Sequence, residues 1–181
     1  GLLAVALAHR DLAQARPSGT AAVTCLNPSI DGEGWTSPHT VIQIVTDDKP
    51  FLVDSVTAYL ESAGRGIHTV FHPLLVVRRS ADGRYEELVL DQGDDADPAA
   101  PPAFGEMRES WIHIEIDRES DAAHRAEIAT ALTRVLGDVQ EAIEDWPKMT
   151  SRAATLAAEL RANAPAGVSA QECERAADFL D

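Results

Sequence analysis

Two histidines four positions apart, His68 and His72, form the most metal-like pattern in the sequence. On a helix this spacing would place both imidazoles on one face, as in a zinc site. The flanking residues predict a strand instead, and four residues of a strand span about 13 Å at about 3.3 Å each. Imidazoles that far apart do not share one ion. We therefore predict that the chain has no metal site.

The glycine-rich string that comes closest to a nucleotide fingerprint begins at Gly64-Arg65-Gly66. It lacks the third glycine and follows a predicted helix, whereas a dinucleotide-binding turn lies between a strand and a helix. Ser, His and Asp are present without the G-x-S-x-G turn of a hydrolase. We predict no catalytic residues and no bound cofactor in this chain.

A third pattern is a strict alternation of apolar and polar residues over 110–117. The apolar face of this predicted strand carries Ile112, Ile114 and Ile116. The other face carries Trp111, His113 and Glu115, with Gln43 expected beside them on the neighbouring strand. Two interpretations stay open: solvent or a helix covers this second face, or the face contacts another subunit. A Trp beside His and Glu suits a partly buried contact.

The first half of the chain is predicted to contain two strands and two helices, which help to position the candidate residues. The pattern predicts a helix over 2–16, a strand over 20–26, a loop over 27–38 and a strand over 39–46. Asp47-Asp48-Lys49-Pro50 then opens a second helix, with Asp48 as a good N-cap and Pro50 in the first turn. Gly64-Arg65-Gly66 ends this helix.

The second half begins with a predicted strand over 67–79 that contains Pro73, which favours an edge position or a bulge. A hairpin returns over 85–90, and a mobile acidic loop over 91–106 precedes the alternating strand. Ser120-Asp121 caps a helix that Pro147 interrupts, and a second helix covers 148–163. Ser169 and Glu172 form a capping box for a last helix.

The composition excludes several classes of partner. The 181 residues carry 30 Asp and Glu against 15 Lys and Arg, a formal net charge of −15. Nucleic acids and anionic membranes bind through clusters of Lys and Arg, so we predict neither as a partner. Leu2–Ala8 is too short to span a bilayer, and two distant cysteines suit a reducing compartment, so the predicted location is cytoplasmic.

The order of elements predicts a fold and its boundaries. From residue 39 the order is β-α-β-β-α, a ferredoxin-like α+β sandwich without its final strand. The strand over 20–26 can pair antiparallel with that over 39–46 and so complete the sheet. We predict an N-terminal helix and linker over 1–19, this domain over 20–146, and a helical extension over 147–181. The chain reads as a fragment of a longer protein, because Phe179-Leu180 lies at its end.

Three segments carry a resemblance to a known family: TDDKPFLVDSV at 46–56, GIHTVFHPLLVVRR at 66–79 and ESWIHIEID at 109–117. The first, with the glycines after its helix, resembles the opening β-α-β of ACT domains, which are ferredoxin-like regulatory modules of amino-acid metabolism. Together the three resemble the N-terminal region of the large bacterial NAD-specific glutamate dehydrogenases. The resemblance covers about residues 20–180.

The resemblance implies a parent enzyme that oxidises L-glutamate to 2-oxoglutarate and ammonia, with NAD bound in another part of the polypeptide. For this chain it implies a non-catalytic ACT-type sandwich with extra C-terminal helices, serving regulation or oligomerisation. The implied partners are the rest of the parent chain, further copies in a homo-oligomer and an amino-acid effector. A purely structural role without a ligand is the alternative.

The resemblance also implies where an effector would bind. ACT domains place it against the loop between the first strand and first helix, which corresponds to Asp48, Pro50, Phe51 and Leu52, with His68 as a second polar contact. Phe51 stands where the family has a glycine that lets a ligand approach the backbone. Two interpretations of Asp48 stay open: it only caps the helix, or it forms part of an effector site.

Overall fold

The computed structural model describes residues 2–89 and 102–180 and divides the chain into two compact units, 1–139 and 140–181. The predicted acidic loop over 91–106 lies mostly outside the described residues. The domain boundaries predicted at 19/20 and 146/147 stay predictions. The elements are α1 (Leu2–Leu12), β1 (Ala22–Leu26), α2 (Ile30–Glu33), β2 (Thr40–Asp47), α3 (Leu52–Ser62), β3 (Ile67–Phe71), β4 (Leu74–Arg79), β5 (Tyr85–Leu88), β6 (Glu106–Ile116), α4 (Ala122–Ala162) and α5 (Ala170–Leu180).

The described strands form one antiparallel sheet around β6, the longest of them with 11 residues. β2 pairs with β6 along one side, and β3 and β4 pair with successive halves of its other side. β1 pairs antiparallel with β2, from Ala22 opposite Val45 to Leu26 opposite Val41. The predicted fold class is therefore confirmed, and β1 supplies the edge strand that the β-α-β-β-α order lacked.

The predicted strand over 67–79 is two strands. β3 ends at Phe71 and β4 begins at Leu74, so the break falls at His72-Pro73. Proline lacks the N–H that a ladder needs, so pairing with β6 stops there and resumes after it. A bulge between Ile67 and Thr69 adds a second irregularity to β3.

The main hydrophobic core lies between one face of the sheet and two helices. The predicted isoleucines of β6 are fully buried there against Ile42 and Ile44 of β2. α3 contributes residues at helical spacing to the same core, and the first turns of α4 do likewise. These helix residues are Leu52, Val56, Leu60, Ile128, Leu132 and Leu136.

The opposite face of the sheet is partly covered by α1. Ala13, just after this helix, packs with Val45 and Trp111 in a second buried cluster. His9 points from α1 onto the sheet, where its Nε2 lies 3.0 Å from the carbonyl oxygen of Ile44 and its ring 5.1 Å from that of Trp111. The helix predicted over 2–16 ends at Leu12, four residues before the prediction, and lies on the second face.

The second unit consists of the distal part of α4 and α5. The prediction that Pro147 separates two helices is wrong, because α4 continues through it to Ala162. A proline removes one helical N–H and displaces one carbonyl, which weakens a helix locally without ending it. The predicted capping box of α5 is present: the Glu172 N–H donates to Ser169 Oγ at 3.3 Å, and the Ser169 N–H donates to Glu172 Oε2 at 3.0 Å.

Candidate functional site

The loop between β2 and α3 is where the resemblance to ACT domains implies an effector site. β2 ends at Asp47 and α3 begins at Leu52, with Phe51 as its N-cap residue. Phe51 has φ 67°, in the left-handed region, and no side chain caps the helix. Its side chain is exposed. The prediction that Asp48 caps this helix is therefore wrong.

Asp48 is held by β6 instead of by the helix. Its backbone N–H donates to the carbonyl oxygen of Arg108 at 3.0 Å, and Ser110 Oγ donates to its Oδ1 at 2.9 Å. These two bonds extend the β2–β6 pairing by one residue past Asp47. The carboxylate is thereby directed at β6, away from the first turn of α3.

The remaining predicted residues of this loop differ in accessibility. Pro50 is exposed beside Phe51, whereas Leu52 is buried in the main core at 3% exposure. A ligand at this loop could contact the two exposed residues and the first N–H groups of α3, which have no partner inside a helix. The Leu52 side chain is not accessible to it.

Asp47 ties the same loop to the N-terminal linker. Its Oδ1 lies 2.7 Å from Arg16 Nη2, and its Oδ2 accepts the N–H of Gly19 at 2.9 Å. Arg16 is 1% exposed and also donates to the carbonyl oxygen of Thr20 at 2.8 Å. The linker after α1 is thus anchored to the end of β2 by a buried guanidinium.

Glu109 on β6 is a fully buried carboxylate that the sequence analysis did not identify. It pairs with Arg16, accepts from Arg79 Nε at 2.6 Å and Nη2 at 3.0 Å, and accepts from Trp111 Nε1 at 2.9 Å. Burial favours the neutral acid, but hydrogen bonds from Arg79, Arg16 and Trp111 outweigh it and hold the pKa of Glu109 below its ordinary value. The cluster pairs the carboxylate with two guanidinium groups and an indole N–H, which explains how a charge is tolerated there, and it leaves Arg16 Nε without a hydrogen-bond partner among the described residues.

A signal for Glu109 was present in the alternation of β6. Extending the predicted strand backwards from residue 110 puts Glu109 in phase with Trp111 and His113, on the face that α1 partly covers. The strand begins at Glu106, four residues before the prediction. Nothing in the spacing, however, connects Arg16 with Glu109, because they are 93 positions apart.

His68, the second predicted ligand contact, lies at the other end of the sheet from Asp48. β2 and β3 both run antiparallel to β6, with Thr40 and Ile67 each opposite Ile116. The start of β3 is therefore level with the start of β2, whose 8 residues place its far end about 23 Å away at about 3.3 Å each. The structure does not bring Asp48 and His68 together.

His68 belongs to a separate histidine and carboxylate cluster. Its ring stacks on that of His39 with 4.0 Å between centroids and 8° between planes. His68 Nε2 lies 2.8 Å from Asp117 Oδ1, and His39 Nδ1 lies 2.8 Å from Glu115 Oε2. In the part of the chain that the structure describes, no group of three or more His, Cys, Asp and Glu side chains could hold a metal ion.

The predicted second face of β6 is confirmed in its composition. Trp111 is buried at 7% exposure beneath α1, while His113 and Glu115 are partly exposed. Gln43 joins them from β2 and donates from Nε2 to the carbonyl oxygen of Val5 at 3.4 Å. Within the chain, α1 therefore covers the Trp111 end of this face. The prediction that these residues form a subunit interface stays a prediction.

The fold and the loop define the class of protein. The sheet has the β-α-β-β-α connectivity of a ferredoxin-like sandwich, and the segment resembling ACT domains forms its first strand, loop and helix. Among residues 2–89 and 102–180, no helix is long and apolar enough to cross a membrane. The arrangement is that of an ACT-type module.

The chain belongs to the family described as glutamate dehydrogenase, ACT1 domain, whose model matches residues 1–132. Its relatives include the NAD-specific glutamate dehydrogenases of Halomonas elongata, 36% identical over 158 residues, and Pseudomonas aeruginosa, 34% identical over 161 residues. These alignments cover 87% and 88% of this chain and 9% of each relative. The enzyme of the same name from Mycobacterium tuberculosis is 26% identical over 173 residues, covering 96% of this chain and 10% of the relative.

Proposed function

We propose that this chain is a non-catalytic assembly and regulatory module of an NAD-dependent glutamate dehydrogenase. The relatives are named as NAD-specific glutamate dehydrogenases, and the chain spans about a tenth of their length. On this proposal the parent oxidises L-glutamate to 2-oxoglutarate and ammonia with NAD bound in another part of the polypeptide. The two free cysteines suit the reducing cytoplasm in which we place the parent.

The observation that carries the assembly role is the outer edge of β3. Among the described residues this strand pairs with β6 alone, so its other edge offers backbone N–H and C=O groups. The segment also exposes large apolar side chains at and beside this edge: Val70 at 39%, Phe71 at 66% and Leu74 at 53%. An apolar strand edge is suited to pairing with a second copy about a twofold axis.

Light scattering on the 181-residue chain tests this assembly role. We expect a dimer, and we expect Phe71→Glu to shift it towards monomer, because a charge at the edge opposes strand pairing. Phe179→Glu on α5 is the matched control, since Phe179 is also an exposed aromatic residue, at 88%, and should leave the dimer intact. A wild-type chain that is monomeric at its highest soluble concentration would contradict the proposal.

A second candidate function, amino-acid sensing, is favoured by the geometry of the β2–α3 loop. α3 lacks a side-chain cap, so its first N–H groups and positive dipole end are available to a ligand carboxylate. Asp47 and Asp48 already pair with Arg16 and Ser110, which lessens their repulsion of such a carboxylate. His68 takes no part in this version of the site, because it lies at the far end of the sheet.

Calorimetry with a panel of amino acids at millimolar concentration tests the sensing role. A binding amino acid should release or absorb heat and raise the melting temperature of the chain. Asp48→Lys should alter that affinity, whereas Glu127→Lys, an equal charge change at an exposed site on α4, should not. Absence of heat and of thermal stabilisation across the panel would rule this function out and leave the assembly role untouched.

A further inference from the structure

A cavity of about 470 Å³ opens in the first unit between α1, the segment around α2 and β6. This volume lies within the range of about 300–1,000 Å³ that is typical of small-molecule sites. Apolar side chains of α1 and α2 line it, namely Leu2, Val5 and Ile30. Trp35 and Glu115 also line it. The cavity is separate from the β2–α3 loop, since Glu115 is paired with Val41 near the start of β2.

Glu115 gives the cavity a negative charge. Burial favours its neutral acid, but the hydrogen bond from His39 and the nearby imidazole of His113 outweigh that effect and hold its pKa below the ordinary value. His39 Nδ1 lies 2.8 Å from Glu115 Oε2, and His113 Nε2 lies 3.6 Å from Oε1. Burial lowers the pKa of His113, so this imidazole is neutral near pH 7. Arg118 Nη1 donates to the carbonyl oxygen of Ser37, another lining residue, at 3.0 Å.

Trp35 lines the cavity with an aromatic ring, and its indole N–H lacks a hydrogen-bond partner in the described part of the chain. The residue is 5% exposed. Its ring lies 6.4 Å from that of His113. An indole ring and a carboxylate that line the same cavity both attract a cation. The ring acts through its negative π face, and the carboxylate acts through its charge.

We propose that this cavity binds an aliphatic amine in its ammonium form. The cation lies between the Glu115 carboxylate and the Trp35 ring, and the alkyl chain packs against Leu2, Val5 and Ile30. An anion of the same size is rejected, because the charged side chain that lines the cavity is a carboxylate. The site goes beyond the proposed function, since neither assembly through β3 nor an effector at the β2–α3 loop requires it.

The indole N–H of Trp35 supplies a local probe for this binding. Proton–nitrogen NMR spectra of the 181-residue chain show one indole signal per tryptophan, and Trp111→Phe and Trp146→Phe assign the three signals. We expect n-butylammonium to shift the Trp35 signal in a saturable way, and butyrate, an anion of similar size, to leave it in place. If butyrate shifts the Trp35 signal as much as n-butylammonium does, the proposal is overturned. This comparison uses the wild-type cavity and needs no variant of it.

Glu115→Gln tests the charge, because glutamine keeps the size and an acceptor oxygen for His39. We expect at least about a tenfold weaker affinity for n-butylammonium, as for the loss of a charge-assisted contact. Glu127→Gln on α4 is the matched control: it removes one charge at an exposed site and should bind as the wild type does. Equal affinity of the two folded variants would show that Glu115 does not hold the cation. The same spectra report whether each variant is folded.

Discussion

Phe51 is the non-glycine residue with a positive φ among the described residues. A left-handed conformation costs an L-residue about 1–2 kcal/mol, and bulky side chains adopt it rarely. Its side chain is exposed, so little packing compensates for this strain. Such strained residues are retained where the surrounding structure imposes the conformation, often at functional loops.

Phe51→Gly should relieve this strain. We expect the glycine variant to be more stable than Phe51→Ala by about 1 kcal/mol, because glycine adopts the left-handed region freely and its greater unfolded-state entropy cancels only part of the gain. Alanine is the control, since it also removes the aromatic ring and keeps the strain. Urea denaturation of the two variants measures the difference. Equal stability would show that the loop relaxes around alanine.

His9 is expected to make stability depend on pH. Burial lowers its pKa from 6.5 to about 4, which the hydrogen bond at Ile44 offsets only in part. Below about pH 6.5 the unfolded chain binds a proton that folded His9 does not accept until about pH 4, so the free energy of unfolding falls as the pH falls. From the two pKa values this loss amounts to about 2 kcal/mol between pH 8 and pH 5.

Denaturant unfolding of wild type and His9→Gln at the two pH values measures this contribution. We expect the wild type to lose about 2 kcal/mol more than the variant on going from pH 8 to pH 5. His124→Gln, which alters an exposed histidine of α4, should follow the wild type. A variant with the same pH dependence as the wild type would mean that folding does not lower the pKa of His9.

Individual site residues were harder to place from the sequence than the strands that carry them. The alternation of β6 correctly assigned Trp111, His113 and Glu115 to one face, because side chains of a strand alternate strictly. The prediction that Asp48 caps α3 was wrong, because its carboxylate accepts a hydrogen bond from Ser110, a residue 62 positions away. An aspartate before a helix predicts a local cap, and local preference cannot reveal a competing partner from another strand.

At the scale of elements, α4 is the clearest departure from local preference. It has 41 residues and continues through Pro147, which is exposed. Proline in a helix interior costs about 3 kcal/mol through its missing N–H and its clash with the preceding turn. The flanking residues favour the helix on both sides, so the penalty is tolerated at one point of a long element.

Pro147→Ala should restore the missing hydrogen bond to Ile143. We expect backbone amides of residues 148–152 to exchange with solvent at least about tenfold more slowly in the variant, in line with a local gain of up to about 3 kcal/mol. Lys148→Ala is the control, because Lys148 is exposed and its ion pair with Asp145 at the surface contributes little. Hydrogen exchange followed by NMR gives the rates. Unchanged exchange in Pro147→Ala would show that the proline does not weaken α4.

At the scale of the whole molecule, the net charge of −15 opposes the compact state. Mutual repulsion of exposed carboxylates is screened by salt, whereas the buried pairs of Glu109 are screened much less. We therefore expect the melting temperature to rise as NaCl is increased to about 1 M. At that concentration, interactions between exposed charges more than about 3 Å apart are largely screened. A melting temperature that falls with salt would mean that surface ion pairs outweigh the repulsion.

A single charge reversal provides the comparison for the salt effect. Glu141 is exposed on α4, and Glu141→Lys reduces the net negative charge by two units. The variant should therefore melt higher than the wild type at low salt and gain less from added NaCl. Thermal melts of both chains across the salt series report the two differences.

The sequence by itself determined the fold class, the pairing of β1 with β2, the two faces of β6 and the capping box of α5. These features follow from local periodicity, from cap chemistry and from the small number of ways in which β-α-β-β-α segments can complete a sheet. The tertiary structure alone decided which distant side chains meet. It joined Arg16 to Glu109 and separated Asp48 from His68, because contacts across a sheet depend on register and strand direction, which residue spacing does not encode.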